Sequence, residues 1–514
     1  MKRRISDEER RDMPALDRRA FLRLSALALT GLAAEGAVLS SLGGCAGEPE
    51  WRPVSYPAVL LHNFRLFDGS GGVLRKDLFV LVRDGIIEAI ERAGDLAQYG
   101  AYRAVDLRGM TLMPGCIDNH VHITVPFTYD VTLQAIRQMD RQIANNARSC
   151  VMAGVTTVRD VGGFPEKILK CREMIERGEI PGPRIISSLS PIAARNETTL
   201  GAPQSAPYFT NPVMKWFLGG NYAERPVGVA EIERACREMV DAGARWIKTL
   251  HQECDYSAKR RPLPNHSDEG YRKILEIGRE HGIRCALHQP LVSGFRKGVE
   301  LGFHTLEHMP LDGILGSRDI DAFMRGGTAI MPTIMAYHDH RREEEILALV
   351  SERGERFLTP EAHRQSLLYL RESIDKTRSE LAEEKKGTRT DAGHWRDMLP
   401  RQIANLRKIH RMGGTVGMGT DNGGYFCGYF GRYADELAHF VNDAGIPAAE
   451  TLRMATSVNA RILGMERQIG SVERGLNADL IAVPGDPLRD IAVMGRVAMV
   501  MKGGLFFKAE GIQV

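Results

Sequence analysis

The sequence lacks a disulfide framework. Its eight cysteines, Cys45, Cys116, Cys150, Cys171, Cys236, Cys254, Cys285 and Cys427, are scattered, and no two stand at C-x-x-C spacing. Disulfide-stapled exported domains carry even, closely spaced sets. With Cys45 set apart, the remaining seven read as buried free thiols. A charge bias is also missing. The 68 Lys+Arg and 65 Asp+Glu leave a net charge of +3, too balanced to argue for an acidic polymer as partner. No basic stripe is interleaved with aromatics, which argues against nucleic acid. Nor is there a long uninterrupted apolar run. The most apolar stretch, near the N-terminus, contains Arg23 and Glu35 and would make a poor permanent membrane span. What is present, 514 residues with 43% hydrophobic and 26% charged, suits a globular chain with a large core and more than one domain.

That N-terminal stretch reads "DRRAFLRLSALALTGLAAEGAVLSSLGGC". Arg18-Arg19, an Ala/Leu/Gly-rich region and Leu42-Gly43-Gly44-Cys45 follow one another. The order resembles a twin-arginine export signal ending in a bacterial lipobox. The resemblance implies residues 1–45 as signal, lipidation of Cys45, a short linker over 46–57, and a chain anchored by lipid in the cell envelope. Glu35 inside the apolar region departs from the pattern. Twin-arginine export carries folded proteins, which fits a chain that needs no oxidative folding.

From Ala58 onward the pattern is β. "AVLLHNFRLFDGSGG" and "DLFVLVRDGIIEAIE" alternate apolar and polar residues, with Asp84-Gly85 as a hairpin signal. The C-terminal "GSVERGLNADLIAVPGD" and "VAMVMKGGLFFKAEG" do the same. Residues 58–113 and 465–514 therefore read as two halves of one small β domain. Between them, over 114–464, strands alternate with helices. The strand candidates are "TLMPGCIDNHVH", "GVTTVRDVGG", "GPRIISSLSPI", "ARWIKTLHQ", "IRCALHQP", "FHTLEHMP", "GTAIMPTIM" and "GTVGMGTDNGG". Eight such units predict an α/β fold, a (β/α)8 TIM barrel. A charged run, about 338–400, reads as a solvated pair of helices inserted after the seventh strand.

Barrel chemistry sits where strands end, so the residues at those ends are informative. His120 and His122 close the first strand. At i and i+2 they share a face and can reach one ion, although two ordinary strand histidines would look the same. Lys248 ends the fourth strand, His288 the fifth and Glu307-His308 the sixth, while Asp421 precedes the glycines of the eighth. Four of 15 histidines at such ends, with a lysine and an aspartate, point to a metal site of nitrogen and oxygen ligands. Asp160, ending the second strand, reads as a structural loop acceptor and His304 as packing. His251 is a candidate for holding a substrate carboxylate or carbonyl.

The motifs "MPGCIDNHVHI", "GVTTVRD", "GPRI", "WIK", "EH", "GTDNGG" and "MATSVNARILGM" with the later "GSVERGLNADLIAVPGDP" resemble the amidohydrolase superfamily. Within it they are similar to the group holding imidazolonepropionase and bacterial Xaa-Pro dipeptidases. The resemblance spans nearly all of 58–510. It implies a distorted barrel beside a β-sandwich made from both termini. It also implies two divalent metal ions, Zn2+ fitting the donor set, with Mn2+ or Co2+ as alternatives. His120, His122 and Asp421 would hold one, His288 and His308 the other. A carboxylated Lys248 would bridge them, because a free lysine is a cation and cannot ligate one. The implied activity is hydrolysis of a small-molecule amide, a dipeptide such as Xaa-Pro or an N-acyl amino acid, with Asp421 as proton carrier. Two readings compete with it. One is a mononuclear cyclic-amide hydrolase or deaminase of imidazolonepropionase type, against which Lys248 argues. The other is an inactive binding lipoprotein. "KTLHQECDYS" and "ALHQPLVSGF" depart from the family's Gly-rich loops, which leaves the substrate open, and a homo-oligomer is left open too.

Overall fold

The computed structural model describes residues 53–92, 94, 99–125, 132–194, 222–255, 257–339, 342–388, 390–423 and 429–513. The signal, its Cys45 and also Cys427 lie outside these residues. The other six cysteines are free and buried, as their scatter predicts.

Strands β1 (Ala58–His62), β3 (Leu78–Arg83), β4 (Ile86–Arg92) and β5 (Arg103–Asp106) form a sheet in the order β4-β3-β1-β5. The β3–β4 hairpin turns on Asp84-Gly85, with φ of 49° and 80°. Left-handed values at both central residues are what a two-residue turn with the right twist requires. A second sheet runs β16-β15-β14-β6-β2. It joins β2 (Arg65–Leu66) and β6 (Thr111–Pro114) from the N-terminal side to β14 (Leu480–Val483), β15 (Met499–Lys502) and β16 (Leu505–Ala509) from the C-terminal side. The two ends of the chain thus share one sheet. Both sheets feed one apolar cluster, with Val59, Leu61, Val80 and Val82 from the first and Leu112, Leu480, Met499 and Met501 from the second.

Between these halves lie parallel strands. β7 (Cys116–Val121), β8 (Val155–Asp160) and β9 (Arg184–Ser187) form one sheet. β10 (Trp246–Leu250), β11 (Arg284–His288), β12 (Thr305–Glu307) and β13 (Ala329–Met331) form another. Every residue of β7, β8 and β10 is buried, the mark of strands covered on both faces. Helices alternate with them: α1 (Leu133–Met152), α2 (Pro165–Glu176), α3 (Val229–Asp241), α4 (Asp268–Glu280), α5 (Val292–Leu301) and α6 (Ser317–Gly326). The sequence sets their ends. Thr132 accepts from the N–H of Ala135 and Ser267 from that of Gly270, capping α1 and α4. The apolar stripe of α4, with Tyr271, Ile274, Leu275 and Ile277, is buried.

Isolated parallel bridges link Ile192 to Thr249, Ile330 to Val416, and Val121 to Asn422. The expected eighth strand, "GTVGMGTDNGG", contributes such bridges rather than a strand. Its backbone runs too close to its neighbours for regular side chains. A Cβ on Gly419 would meet His120 Cβ at 2.7 Å, and one on Gly423 would meet the His122 carbonyl at 2.0 Å. Asp421 then leaves extended geometry at φ 61°.

After β13 come α7 (Ile334–His338), α8 (Glu343–Arg353), α9 (Pro360–Glu384) and α10 (Asp391–Arg411). The inserted run is therefore three long helices rather than a pair. The last is not simply solvated, since Leu399, Gln402, Ile403, Asn405, Leu406 and Ile409 are buried.

One buried carboxylate ties the parallel strands to the C-terminal sheet. Asp479 accepts from Arg184 Nη1 at 2.6 Å and from the Gly503 N–H at 2.8 Å. Asp479→Ala removes both bonds; Gly503 is exposed and half-buried Arg184 keeps Thr157, so the cost is that of lost net hydrogen bonds, about 0.5–1.5 kcal/mol each. We expect a loss of that size in urea unfolding of metal-free protein, with the chevron or equilibrium midpoint as readout. An unchanged midpoint would show that the link is dispensable.

Candidate metal centre

The strand ends bring the expected residues together. His120 lies in β7 and His122 just beyond it, Lys248 lies in β10, His288 ends β11, and His308 follows β12. Asp421 stands among them. Its Oδ1 is 3.3 Å from His120 Nε2 and 3.2 Å from His122 Nε2, and its Oδ2 is 3.9 Å from His308 Nδ1. The His308 ring centroid lies 5.0 Å from that of His120 and 4.5 Å from that of His288.

The surrounding hydrogen bonds assign each ring its tautomer. His120 Nδ1 donates to Glu307 Oε2 at 2.7 Å, and His122 Nδ1 donates to the Gly162 carbonyl at 2.7 Å. Thr333 Oγ1 donates to the Pro332 carbonyl, so it accepts from His308 Nδ1 at 2.7 Å. Gln252 gives its amide N–H to the Cys254 carbonyl, so its Oε1 accepts from His288 Nε2 at 3.0 Å. Lone pairs are thereby left on Nε2 of His120, His122 and His308 and on Nδ1 of His288. An orienting partner on the second nitrogen is the usual arrangement around a metal-ligating histidine. Two such nitrogens lie within 3.3 Å of Asp421 Oδ1, and the three donor atoms lie within 4.8 Å of one another. A proton or a metal cation must lie between such atoms, and two imidazole nitrogens with a carboxylate oxygen are a donor set that fits a divalent ion.

Charge and burial agree. Burial works against the Asp421 carboxylate, but His120 and the other imidazoles outweigh it and hold it well below the usual range. For His122, burial is outweighed by Asp421 and the pKa is raised. His288 and His308 are pushed well down by burial and by the neighbouring cations. Lys248 is buried, and burial lowers it to about 8. Its interacting charges are Glu307, Arg159 and Asp421. No hydrogen bond or ion pair of its ammonium is found among the described residues.

Three backbone positions at the centre are left-handed although not glycine: His308 at φ 74°, Thr333 at 48° and Asp421 at 61°. Such conformations cost on the order of 1–3 kcal/mol each and persist where the surroundings over-determine them. Here the Met331 carbonyl accepts from the His308 N–H at 2.8 Å, and Gln289 donates to the His308 carbonyl at 2.8 Å. The Asp421 N–H donates to the His120 carbonyl at 2.8 Å. Asp118, pushed up to about 7 by burial, accepts from the N–H and hydroxyl of Thr420.

Two participants carried no assigned role in the sequence reading. Glu307 and Arg159 form a fully buried pair, with Arg159 Nη2 at 2.7 and 2.9 Å from the two carboxylate oxygens. Arg159 also lies over the Trp246 ring at 4.4 Å. Glu307 was visible in "EH" and Arg159 in "VRD". On a regular strand, residues 307 and 308 would face opposite sides; the positive φ of His308 lets both serve the centre. Asp160 acts as the expected loop acceptor, bonding the N–H of Ile123 and of Gly162, and so shapes the turn that offers Gly162 to His122. His304 takes the N–H of Cys285, a packing role. His251 bonds the Tyr271 hydroxyl at 3.1 Å through its ring, and its backbone N–H donates to the His288 carbonyl at 2.9 Å.

The family model described as "Amidohydrolase family" matches residues 111–506. The chain belongs to the amidohydrolase family. It is a hydrolase acting on carbon–nitrogen bonds. Ochratoxinase from Aspergillus niger is 26% identical over 469 residues, covering 87% of this chain and 86% of that protein. Imidazolonepropionase from Salinispora arenicola is 23% identical over 282 residues, covering 54% and 67%. Among solved structures, a Xaa-Pro dipeptidase with bound methionine aligns with a TM-score of 0.67 at 23% identity, covering 88% of this chain and all of that one (100%). A. niger ochratoxinase also reaches 0.67, at 19% identity, covering 88% and 96%. These likenesses establish the amidohydrolase-type α/β fold.

The Glu307 contacts separate stability from metal affinity in this amidohydrolase. Glu307→Gln leaves Arg159 a buried unpaired cation, and breaking such a pair costs about 3–5 kcal/mol. It also weakens the orientation of His120, worth about 10–100-fold in metal affinity. Replacing Arg159 with Met as well should recover stability in urea unfolding but not affinity in chelator competition. Joint recovery of both would show that Glu307 serves Arg159 alone.

Proposed function

We propose that this amidohydrolase hydrolyses the amide bond of a dipeptide such as Xaa-Pro, or of an N-acyl amino acid, at a pair of divalent ions. The observation that carries the reading is Lys248, buried and lowered to about 8 among the ligand-type side chains. At that value a fraction of the side chain is unprotonated amine near pH 7, and the unprotonated amine is the form that adds carbon dioxide, losing a proton to give a carbamate. That anion matches a metal pair, whereas a lone ammonium beside four imidazoles has no such use. His120, His122 and Asp421 would hold one ion, His288 and His308 the other, and carboxylated Lys248 would bridge them. Bound divalent metal, with Zn2+ preferred by this donor set, supplies Lewis acidity and brings the pKa of water down towards ~7. Asp421 takes the proton of the attacking water and delivers it to the leaving amine. A mononuclear site of imidazolonepropionase type would leave the burial of Lys248 without purpose. The ochratoxinase and Xaa-Pro dipeptidase relatives support hydrolysis of an amide bond, and the name of the second is what favours a dipeptide.

The same reading takes the fold further. The parallel bridges at Ile192, Ile330 and Val121 occur in the order needed to close seven strands and the 416–422 stretch into a (β/α)8 barrel. The shared core of the two terminal sheets supports a β-sandwich beside it. Domain limits of 58–113 with 465–514, and 114–464, follow from that.

Lys248→Ala and Asp421→Asn divide assembly from chemistry. With ample metal, the wild type should approach two equivalents in elemental analysis, and Lys248→Ala should lose metal, with propionate restoring part of it. Asp421→Asn keeps a carbonyl oxygen but cannot accept the proton. It should retain much of its metal while kcat on a responsive dipeptide falls by roughly 10²-fold or more. Near-wild-type turnover in metal-loaded Asp421→Asn, or full activity in Lys248→Ala, would sink the mechanism.

Export is proposed on Arg18-Arg19 and the Gly43-Gly44-Cys45 site, with lipid on Cys45 holding the enzyme in the envelope. In fractionated cells the wild type should partition with membranes and Cys45→Ala should not. Both forms soluble in the cytoplasm would mean the leader has another role.

A further inference from the structure

A second group of ligand-type side chains stands apart from the centre. His338 ends α7. His439 and Asp443 bound a one-turn π-helix, His439–Asp443, that continues α11 (Tyr433–Ala438). One donor atom from each of the three lies within 4.8 Å of the others, so small side-chain rotations bring them to the ~3.4 Å that two tetrahedral donors about 2.1 Å from one ion span. The two imidazole centroids are 4.6 Å apart. His439 Nδ1 is 2.5 Å from Asp443 Oδ2. The His439 side chain is only 9% exposed, and its Nε2 has no hydrogen-bond partner among the described residues. An ordinary i,i+4 His–Asp pair on a helix surface would keep that nitrogen in water. Single-turn π segments are uncommon inside helices and recur at functional sites.

We propose that His338, His439 and Asp443 form a separate site for one divalent transition metal of the zinc class. Two imidazoles and a carboxylate are a borderline donor set, and Asp443, 45% exposed, leaves a side open to water as a fourth ligand. The ion joins elements that already meet at two other points. Glu436 of α11 accepts the N–H groups of Ile334 and Met335, and Arg432 pairs with Asp339 at 2.6 Å. The clamped segment includes Thr333, which orients His308, and Tyr337, whose ring lies 5.5 Å from that of His308. Binding there therefore steadies one wall of the catalytic centre without touching it.

The test is a difference in ion count, which does not depend on whether the main centre takes one ion or two. Wild type, His439→Gln and Asp443→Ala are equilibrated with Zn2+ alone by dialysis at neutral pH, and bound zinc is measured per folded chain. Each variant should hold one equivalent fewer than wild type. The rise in unfolding temperature with Zn2+ should also shrink by the part that the second site contributes. Asp443 is exposed, so Asp443→Ala keeps the fold, checked by far-ultraviolet circular dichroism, and decides the matter if His439→Gln misfolds. Equal zinc counts in wild type and folded Asp443→Ala overturn the proposal. A low count in all three, with the one-equivalent difference kept, overturns only the binuclear reading of the main centre.

Discussion

Lone pairs from His120 and His122 converge on one oxygen of Asp421, and much of the surrounding structure exists to hold them there. With neither a proton nor a metal cation between them, that arrangement is repulsive. It survives because each ring is tethered through its other nitrogen and because the backbone is forced into left-handed turns at His308, Thr333 and Asp421. The tethers are themselves anchored. Glu307 is held ionised by Arg159, which works against the strong effect of burial on the carboxylate. The buried Asp118 stitches Thr420 to β7, so that Asp421 arrives at the correct strand end.

The close approach of backbones around this point explains the glycines of the 416–423 stretch. Gly419 packs on His120 and Gly423 on His122, with no room for a Cβ. Regular strand pairing and that approach compete, and the approach prevails; only bridges remain. The fold thus gives up β ladder in the segment that carries Asp421. Local irregularity of this kind is expected at functional sites.

Much of this was legible in the chain. The hairpin at Asp84-Gly85, the strand positions around "NHVH", "WIK", "ALH" and "LEH", and the sharing of a sheet by both ends follow from alternation and turn chemistry. The ligand-type residues were legible because strand ends in an alternating strand–helix pattern face one rim. Less legible was the support. Arg159 and Glu307 look like ordinary strand residues, since nothing local distinguishes a buried ion pair from two solvated charges. The third inserted helix looked solvated because its buried positions are interrupted by charges and by polar Gln402 and Asn405, whose burial depends on partners far along the chain. Asn405, for one, bonds the backbone around Pro310 and Gly313.

Residue types and their order along the chain therefore determined the chemistry available: imidazoles, a carboxylate and a lysine at successive strand ends, with glycines where backbones must touch. Hydrophobic periodicity is local, so it carries that information without the folded state. Only the tertiary structure decided which nitrogen of each histidine is free, that Lys248 sits buried with its pKa lowered, and that His338 meets His439 across a hundred residues. Tautomer, desolvation and encounter depend on partners distant in sequence, and no local pattern encodes them.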